Sequence, residues 1–316
     1  MFGIIQDEID RFEVELAATL RSDVAFIDAI GEDLVRSGGK RLRPTLAFLT
    51  GRILGSGPEE PMLAALAVEL LHSASLLHDD LIDDADTRRG AEAAFRRYGN
   101  VVSVMSGDFM LARVLGLLAR SGDLGFIELM SRTAAAICEA EVLQFQTASL
   151  QDRSMAGYWR IIDGKTAALM VAATEGVAVL AGAELAERAA LREFATAYGR
   201  AFQIRDDYLD LLGDAGLLGK PVGSDLREGK ATYPVLLLLF EQKLDEVHSI
   251  LERHAGRPGD VDRVIALALE HGADERTRQR IAAEARRAVT ALSRFPPSPA
   301  LEALRSLPER ELERVS

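Results

Sequence analysis

Two aspartate clusters with the same spacing occur in this chain. The first is Asp79-Asp80-Leu81-Ile82-Asp83, and the second is Asp206-Asp207-Tyr208-Leu209-Asp210. On a helix, positions i, i+1 and i+4 lie within about one turn, so each cluster places three carboxylates on one face. One such cluster could be a solvated helix end, but two with identical spacing favour a cation between carboxylates. Mg²⁺ takes hard oxygen ligands, water and phosphate oxygens, so the pattern indicates a metal site for a polyanion.

Basic residues occur at several places that could bring them to such a ligand. Lys40, Arg41 and Arg43 stand between Gly38-Gly39, which end a helical pattern, and Pro44, where a new helix can begin. Cations beside a helix N-terminus can bind an anion, although an ordinary basic turn has the same composition. The other places are Arg88 and Arg89 after the first cluster, Lys165 with Thr166, and Lys220 and Lys230 in the glycine-rich segment Gly213–Pro234.

Two further motifs point to other chemistries. His72 lies two helical turns before Asp79 on the same face, and Glu69-x-x-His72 matches the signature of di-iron bundles. Those proteins need two such motifs, and none of the other histidines has a glutamate three residues before it. Asp163-Gly164-Lys165-Thr166 resembles the end of a P-loop, but Trp159 replaces the first glycine and no strand pattern precedes it.

The elements that must position these groups read as helices throughout. Apolar residues recur at three- and four-residue steps over residues 1–36, and Ala/Leu-rich patterns cover Pro61–His78, the stretch from Val101 to Leu180, and most of Val235–Ser316. No regular Val/Ile/Thr alternation indicates strands. Gly213–Pro234 reads as a long loop of the kind that often forms a functional lid. We therefore expect an all-α fold, a helical bundle around a central apolar cavity, in a single domain over residues 1–316.

Composition restricts the partners and the compartment. The 316 residues carry a formal net charge of −12, which argues against a nucleic-acid surface. The single cysteine, Cys138, excludes an internal disulfide and fits a reducing cytoplasm. The first residues lack the basic region and apolar core of a signal peptide. Glu175 interrupts the apolar run around Leu169–Leu180, and Val235–Phe240 is too short to span a bilayer, so we expect a cytoplasmic protein with no membrane span.

Aspartate clusters and cations at one end of an apolar bundle would suit one kind of reaction. The polar groups would hold a diphosphate, and Mg²⁺ would act as a Lewis acid on the departing diphosphate. An apolar, water-poor cavity would protect an allylic carbocation from hydrolysis. Prenyl transfer fits this description, and no serine–histidine or cysteine nucleophile arrangement competes with it.

The motifs, in this order, resemble those of the trans-isoprenyl diphosphate synthases, the polyprenyl synthetase family, over nearly the whole chain. The resemblance rests on Gly38-Gly39-Lys40-Arg41-Leu42-Arg43-Pro44, His72, Asp79-Asp80-x-x-Asp83 with Arg88-Arg89-Gly90, Lys165-Thr166, Gln203 with Asp206-Asp207-x-x-Asp210, and the Gly219–Lys230 segment. It implies an all-helical homodimer that uses three Mg²⁺ ions to condense isopentenyl diphosphate with an allylic prenyl diphosphate. The chain departs from many relatives at Ala140 and Tyr233, neither of which is an expected metal ligand.

The resemblance also implies roles for individual residues. Asp79, Asp83 and Asp206 would be the main metal ligands, and Asp80, Asp207 and Asp210 would complete the site. Isopentenyl diphosphate would bind Lys40, Arg43, His72 and Arg89. Lys165, Thr166 and Gln203 would form the catalytic set and, with Arg88, Lys220 and Lys230, would hold the allylic diphosphate. The released diphosphate would take the proton from the condensed intermediate.

Product length depends on the depth of the cavity. Ala74 and Ser75 lie one turn before Asp79, where small residues leave room for a growing chain. That pattern resembles the medium- and long-chain enzymes, with a cavity floor at Met130, Ala134 or Ile137 and an octaprenyl-like product. A geranylgeranyl or farnesyl product is the alternative. A terpene cyclase or a non-catalytic partner subunit fits less well, because both full aspartate motifs are present. A peripheral membrane contact for product release is left open.

Overall fold

The architecture is helical, as the sequence predicts. The computed structural model of the protein describes residues 3–36, 38–84, 87–88, 91–150, 153–213, 222–240 and 242–313. The all-α prediction is confirmed, with one addition: two-residue strands, β1 (Thr87–Arg88) and β2 (Ala91–Glu92), form an antiparallel pair directly after the first aspartate cluster. This short hairpin falls below the length at which side-chain alternation can be recognised in a sequence.

The helices have the following bounds. They are α1 (Gln6–Leu20), α2 (Ala25–Arg36), α3 (Leu42–Leu54), α4 (Glu59–Ile82), α5 (Ala94–Tyr98), α6 (Asn100–Ser121), α7 (Leu124–Leu150), α8 (Met155–Ile162), α9 (Ala168–Leu180), α10 (Leu185–Leu212), α11 (Ser224–Arg227), α12 (Tyr233–Phe240), α13 (Asp245–Glu252), α14 (Asp260–Glu270), α15 (Ala273–Ala291) and α16 (Pro299–Glu313). Short 3₁₀ turns cover Gly3–Ile5 and Leu292–Arg294, and a π-helical turn, Asp163–Ala167, joins α8 to α9.

Hydrophobic periodicity accounts for the individual helices. In α1, Phe12, Leu16 and Leu20 recur every four residues and are buried, as the pattern predicts. Residues 1–36, read as one or two helices, contain both α1 and α2. The stretch from Val101 to Leu180, expected to hold two or three helices, holds α6, α7, α8 and α9, because the π turn Asp163–Ala167 interrupts the third helical stretch and divides it into α8 and α9.

The chain folds into two compact units. The first contains residues 1–135, 169–192 and 294–304, and the second contains residues 136–168, 193–293 and 305–316. In the first unit, α6 and α3 pack along α4, which brings the first aspartate cluster to the end of a mostly buried helix. In the second unit, the core forms around α12, every residue of which from Tyr233 to Leu238 is buried.

Among the described residues, two helices have the length and apolar composition of a membrane span. They are α4, with a mean hydropathy of 1.3 over an 18-residue window, and α6, with 1.7. Neither helix coincides with Leu169–Leu180 or Val235–Phe240, the two apolar runs considered above as possible membrane spans. The apolar window of α4 is 72% buried by the rest of the protein, which accounts for its composition. The window of α6 is 39% buried, and its exposed apolar residues include Val101, Met105 and Leu115.

Candidate active site

The π turn between α8 and α9 presents Lys165 and Thr166. Helix α8 begins at a serine cap, where Ser154 Oγ accepts a hydrogen bond from the Gly157 N–H at 3.0 Å. The helix then widens into the π turn Asp163–Ala167, a geometry that is rare in proteins and frequent at functional sites. The sequence predicts a polar interruption here but not its geometry.

Close packing and an ion pair fix this π turn. A Cβ atom on Gly164 would lie 2.6 Å from the Ala136 carbonyl oxygen, so only glycine allows the turn to approach α7 this closely. On the opposite side, a Cβ atom on Gly199 would lie 2.7 Å from the Ala167 Cα. The Arg200 guanidinium donates to both carboxylate oxygens of Asp163, at 2.7 and 2.6 Å. These contacts hold the π turn closely against α7 and α10.

Lys165 and Thr166 are each oriented by a neighbouring side chain. Lys165 Nζ lies 2.6 Å from Glu141 Oε1, and both side chains are partly exposed. Thr166 Oγ1 donates to Gln203 Oε1 at 2.7 Å, and Gln203 Nε2 donates to Asp207 Oδ1 at 3.0 Å. Of the three predicted catalytic residues, Thr166 and Gln203 are therefore linked to the second aspartate cluster, whereas Lys165 pairs with Glu141.

Asp207 is the anchor of that cluster. Besides Gln203, it accepts hydrogen bonds from Tyr158 Oη at 2.6 Å and from the Tyr233 backbone N–H at 3.3 Å. Burial raises the pKa of Asp207 to about 6, although its hydrogen bonds oppose the rise. Burial, reinforced by Asp207, raises the pKa of Tyr158 well above 10. Since its carboxylate is buried and already accepts three donors, Asp207 is suited to holding its neighbours in place.

Asp210 joins α10 to the segment that follows it. It accepts hydrogen bonds from the Ser224 hydroxyl and, at 3.1 Å, from the Asp225 backbone N–H. Burial, followed by the charges of Asp207 and Asp210, raises the pKa of Asp225 to about 7. Lys230 lies in this segment, with Nζ at 2.5 Å from Glu228. The stretch expected to be a long loop therefore contains α11 and ends where α12 begins at Tyr233.

Asp206 is the most exposed carboxylate of the second cluster. Its side chain is 44% exposed, and Arg205 Nε donates to its Oδ1 at 3.1 Å. Of the three carboxylates, Asp206 is thus the best placed to reach a ligand in solution.

One cleft of about 200 Å³ in the second unit collects several predicted residues. Its lining includes Lys165, Thr166, Gln203, Asp207 and Lys230. Asp225 of the Gly219–Lys230 segment also lines it, and so do residues that the sequence did not single out, among them Tyr158 and Arg153. Tyr158 could not be recognised as a site residue because its partner lies 49 positions away in the chain.

The first aspartate cluster ends α4. Asp80 is buried, Asp79 is partly buried and Asp83 is exposed. Asp83 is the C-cap residue, and its backbone N–H donates to the Asp79 carbonyl oxygen at 2.8 Å. The cluster therefore combines one internal carboxylate with others that can reach a ligand.

The basic turn before α3 divides its cations between two roles. Arg41 is 8% exposed and pairs with Glu13 on α1, at 2.5 and 2.8 Å, and with Glu69 on α4, at 2.9 Å. Arg41 and Glu69 therefore have structural roles. This differs from the expectation that all three cations of the turn would be available to bind an anion. Lys40 is exposed and Arg43 is partly exposed.

His72 lines a second cleft, of about 120 Å³, together with Arg41, Glu69, Asp80 and Arg97. The ion pair between Glu69 and Arg41 accounts for the Glu-x-x-His spacing without a di-iron site.

The residues predicted to set product length are mostly buried. Ala74 is fully buried, and Met130 and Ile137 are 1% and 5% exposed. Ser75 Oγ donates to the His72 carbonyl oxygen at 2.9 Å, and Ala134 is partly exposed. Of the other predicted residues, Arg89 and Lys220 lie outside the described residues, and for Arg88 only the backbone, in β1, is described.

The carboxylates of the two aspartate clusters are ligands of the kind that magnesium binds. Within the described part of the chain, no group of three or more His, Cys, Asp or Glu side chains is placed to hold a metal ion by itself. Magnesium does not require such a cage, since it commonly binds one or two carboxylates and keeps water and substrate phosphate oxygens. Asp79 and Asp83 in the first unit, and Asp206 in the second, are at least partly exposed, so each could supply one such carboxylate.

Comparison with known proteins gives a consistent result. The polyprenyl synthetase family model matches residues 24–268. Octaprenyl diphosphate synthase of Escherichia coli strain K12 is 38% identical over 299 residues, which are 93% of this chain and 92% of that protein. A short chain isoprenyl diphosphate synthase of Methanothermobacter thermautotrophicus is 35% identical over 294 residues, 90% of this chain and 89% of that protein.

A solved structure shares the fold. It is a polyprenyl synthase from Caulobacter crescentus, complexed with calcium and isoprenyl diphosphate, with a TM-score of 0.90 and 36% identity. The match covers 100% of this chain and 97% of that one.

Proposed function

The chain belongs to the polyprenyl synthetase family of prenyltransferases, and we propose on this premise that it makes an all-trans polyprenyl diphosphate. It would condense isopentenyl diphosphate head-to-tail with an allylic prenyl diphosphate. The observation that carries the proposal is the cleft in which Lys165, Thr166 and Gln203 adjoin the second aspartate cluster. Cations and hydroxyl donors beside carboxylates are what a metal–diphosphate substrate requires.

Magnesium is the metal that this proposal requires. Asp79 and Asp83 in the first cluster and Asp206 in the second would be its main ligands, with three ions expected when substrate is bound. Bound Mg²⁺ would act as a Lewis acid and neutralise the leaving diphosphate. The buried carboxylates of Asp80, Asp207 and Asp210 would support these ligands, a role for which the hydrogen bonds of Asp207 and Asp210 provide the evidence.

The cations divide between the two substrates. Lys165 and Lys230, with Arg88 and Lys220, would hold the allylic diphosphate, and Thr166 and Gln203 would orient it by hydrogen bonds. Lys40, Arg43, His72 and Arg89 would hold isopentenyl diphosphate. The positions of the lysines support this division, because all except Lys243 stand at sites proposed to bind a diphosphate. The lysines of the chain are Lys40, Lys165, Lys220, Lys230 and Lys243.

A long product, of about the octaprenyl class, is the length we propose. The octaprenyl relative and the small, buried Ala74 one turn before Asp79 support it. The short-chain relative has nearly the same identity, so overall similarity does not separate product lengths. A geranylgeranyl or farnesyl product is the alternative that the assay must distinguish.

The quaternary state that we propose is a homodimer formed through α6. Val101, Met105, Ala112 and Leu115 are exposed and recur at three-, four- and seven-residue steps, so they form one apolar stripe along the helix. A second copy packed on this stripe would remove it from water.

We also propose a cytoplasmic location, for which the lone Cys138 is the support, with a peripheral membrane contact when the long product leaves.

Incubation of the purified protein with Mg²⁺, labelled isopentenyl diphosphate and one allylic primer at a time tests the function. We expect a single long prenyl diphosphate by mass spectrometry, loss of product with EDTA, and a large loss of kcat in Lys165→Ala. Lys243→Ala, at an exposed lysine of the same unit, is the matched control and should retain activity. A cyclic hydrocarbon product, or no incorporation with any primer, would refute the proposal.

A further inference from the structure

Arg205 occupies an unusual place for a cation. It stands inside the second motif, directly before Asp206, and its side chain is only 2% exposed. Its Nε and Nη2 both donate to Asp206 Oδ1, and its Cζ lies 4.5 Å from the centre of the Phe202 ring. A buried guanidinium stays charged, so it must be balanced by nearby carboxylates.

The second partner of this guanidinium comes from the last helix. Glu311 on α16 has a side chain that is 6% exposed, and its Oε2 accepts from Arg205 Nη1. Its Oε1 accepts from Tyr198 Oη at 3.3 Å, and burial raises the pKa of that tyrosine well above its usual range. Arg205 is thus shared between Glu311, which is internal, and Asp206, which is half exposed.

We propose that Glu311 is a positioning residue that sets the affinity of Asp206 for the divalent cation, acting through Arg205. This inference rests on the proposed function, because it takes Asp206 as a metal ligand. Arg205 and a metal ion compete for the same carboxylate, since both are cations. Glu311 holds one side of the guanidinium and balances part of its charge, which weakens the hold of Arg205 on Asp206 and lets a metal ion compete for that carboxylate.

The direction of the effect follows from burial. Charges interact more strongly away from water, so a buried Arg205 without Glu311 would have Asp206 as its remaining carboxylate partner among the described residues. It would then hold Asp206 more tightly, and more metal would be required to displace it. Removal of both buried charges has the opposite effect, because no cation then competes for Asp206.

Binding of Mn²⁺ alone, followed through the electron paramagnetic resonance signal of the free ion, tests this without turnover. In Glu311→Gln we expect the dissociation constant to rise by roughly fivefold to twentyfold, about 1 to 2 kcal/mol. Glu309→Gln, at an exposed position of the same helix, changes net charge equally and should match the wild type. In Arg205→Met/Glu311→Met the constant should fall below the wild-type value, because no buried cation then competes for Asp206.

The outcomes separate this proposal from the proposed function. Equal constants for Glu311→Gln and Glu309→Gln would overturn it, and so would a double variant as weak as Glu311→Gln. If Glu311→Gln does not fold, the double variant decides: binding tighter than wild type supports the proposal, and unchanged binding refutes it. Absence of Mn²⁺ binding by a wild type that also fails to consume isopentenyl diphosphate would instead refute the proposed function and this inference together.

Discussion

Removal of the Tyr158 hydroxyl should lower the free energy of unfolding by about 2 kcal/mol at pH 8 and by about 1 kcal/mol at pH 5. Tyr158 Oη donates to the buried carboxylate of Asp207 at 2.6 Å, and burial raises the pKa of Asp207 to about 6. At pH 8 the acceptor is therefore ionised, and hydrogen bonds to charged groups contribute about 1.5–3 kcal/mol. At pH 5 it is mostly protonated, and a neutral hydrogen bond contributes about half as much.

Linkage gives the same sign. Because the folded-state pKa of Asp207 is raised above its usual value of 3.8, the folded protein binds a proton more readily than the unfolded chain. Stability attributable to this group therefore increases as the pH falls through about 6. Tyr158→Phe removes a donor that lowers this pKa, so the variant should gain more stability than the wild type over that range.

Urea unfolding in EDTA, at pH 8 and at pH 5, measures both effects on the metal-free protein. Trp159, the single tryptophan of the chain, reports on this region because its ring lies 5.3 Å from that of Tyr158 and 5.8 Å from that of Tyr233. Tyr233→Phe is the matched control, since Tyr233 contacts Asp207 through its backbone N–H, which the variant keeps. Equal losses in the two variants, or a loss in Tyr158→Phe that is independent of pH, would refute this reasoning.

Four other changes have defined outcomes. Gly164→Ala should cost about 1–3 kcal/mol of unfolding free energy and reduce kcat, because its Cβ would meet the Ala136 carbonyl at 2.6 Å; unchanged urea midpoint and kcat would contradict this. Ala74→Phe should shorten the product seen by mass spectrometry, and an unaltered product length would exclude Ala74 from the chain path. Leu115→Glu should give monomers in light scattering, whereas a persistent dimer would exclude the α6 stripe. The Arg253 guanidinium holds the pKa of Asp260 at about 2, so the stabilisation from Asp260 is present above pH 4 and lost toward pH 2. The melting temperatures of Asp260→Asn and the wild type should therefore converge toward pH 2. A difference in melting temperature that stays constant with pH would argue against the ion pair.

Local patterns allowed much of the helical architecture to be predicted. The four-residue recurrence of Phe12, Leu16 and Leu20 identifies α1 because a buried helical face must repeat at that period. The aspartate clusters and Lys165-Thr166 are likewise recognisable because their chemistry depends on residue type and short spacing.

Features that depend on distant contacts could not be predicted. The π turn depends on Gly199 and on α7, so the sequence around Lys165 does not reveal it. The anchoring of Asp207 depends on Tyr158 and on the backbone of Tyr233. Asp206 and Asp207 are adjacent in the sequence, yet Asp206 is partly exposed and Asp207 is buried, because different groups pack against each of them.

The basic turn before α3 has a thermodynamic consequence. Arg41 adopts a left-handed backbone conformation, with φ of 43°, which is uncommon for a residue other than glycine, and Glu13 and Glu69 hold it there. The ordering entropy of the turn that carries Lys40 and Arg43 is therefore lost when the chain folds rather than when an anion arrives. Without Glu13, the turn would lose this entropy when the anion binds, and calorimetry would record a less favourable binding entropy.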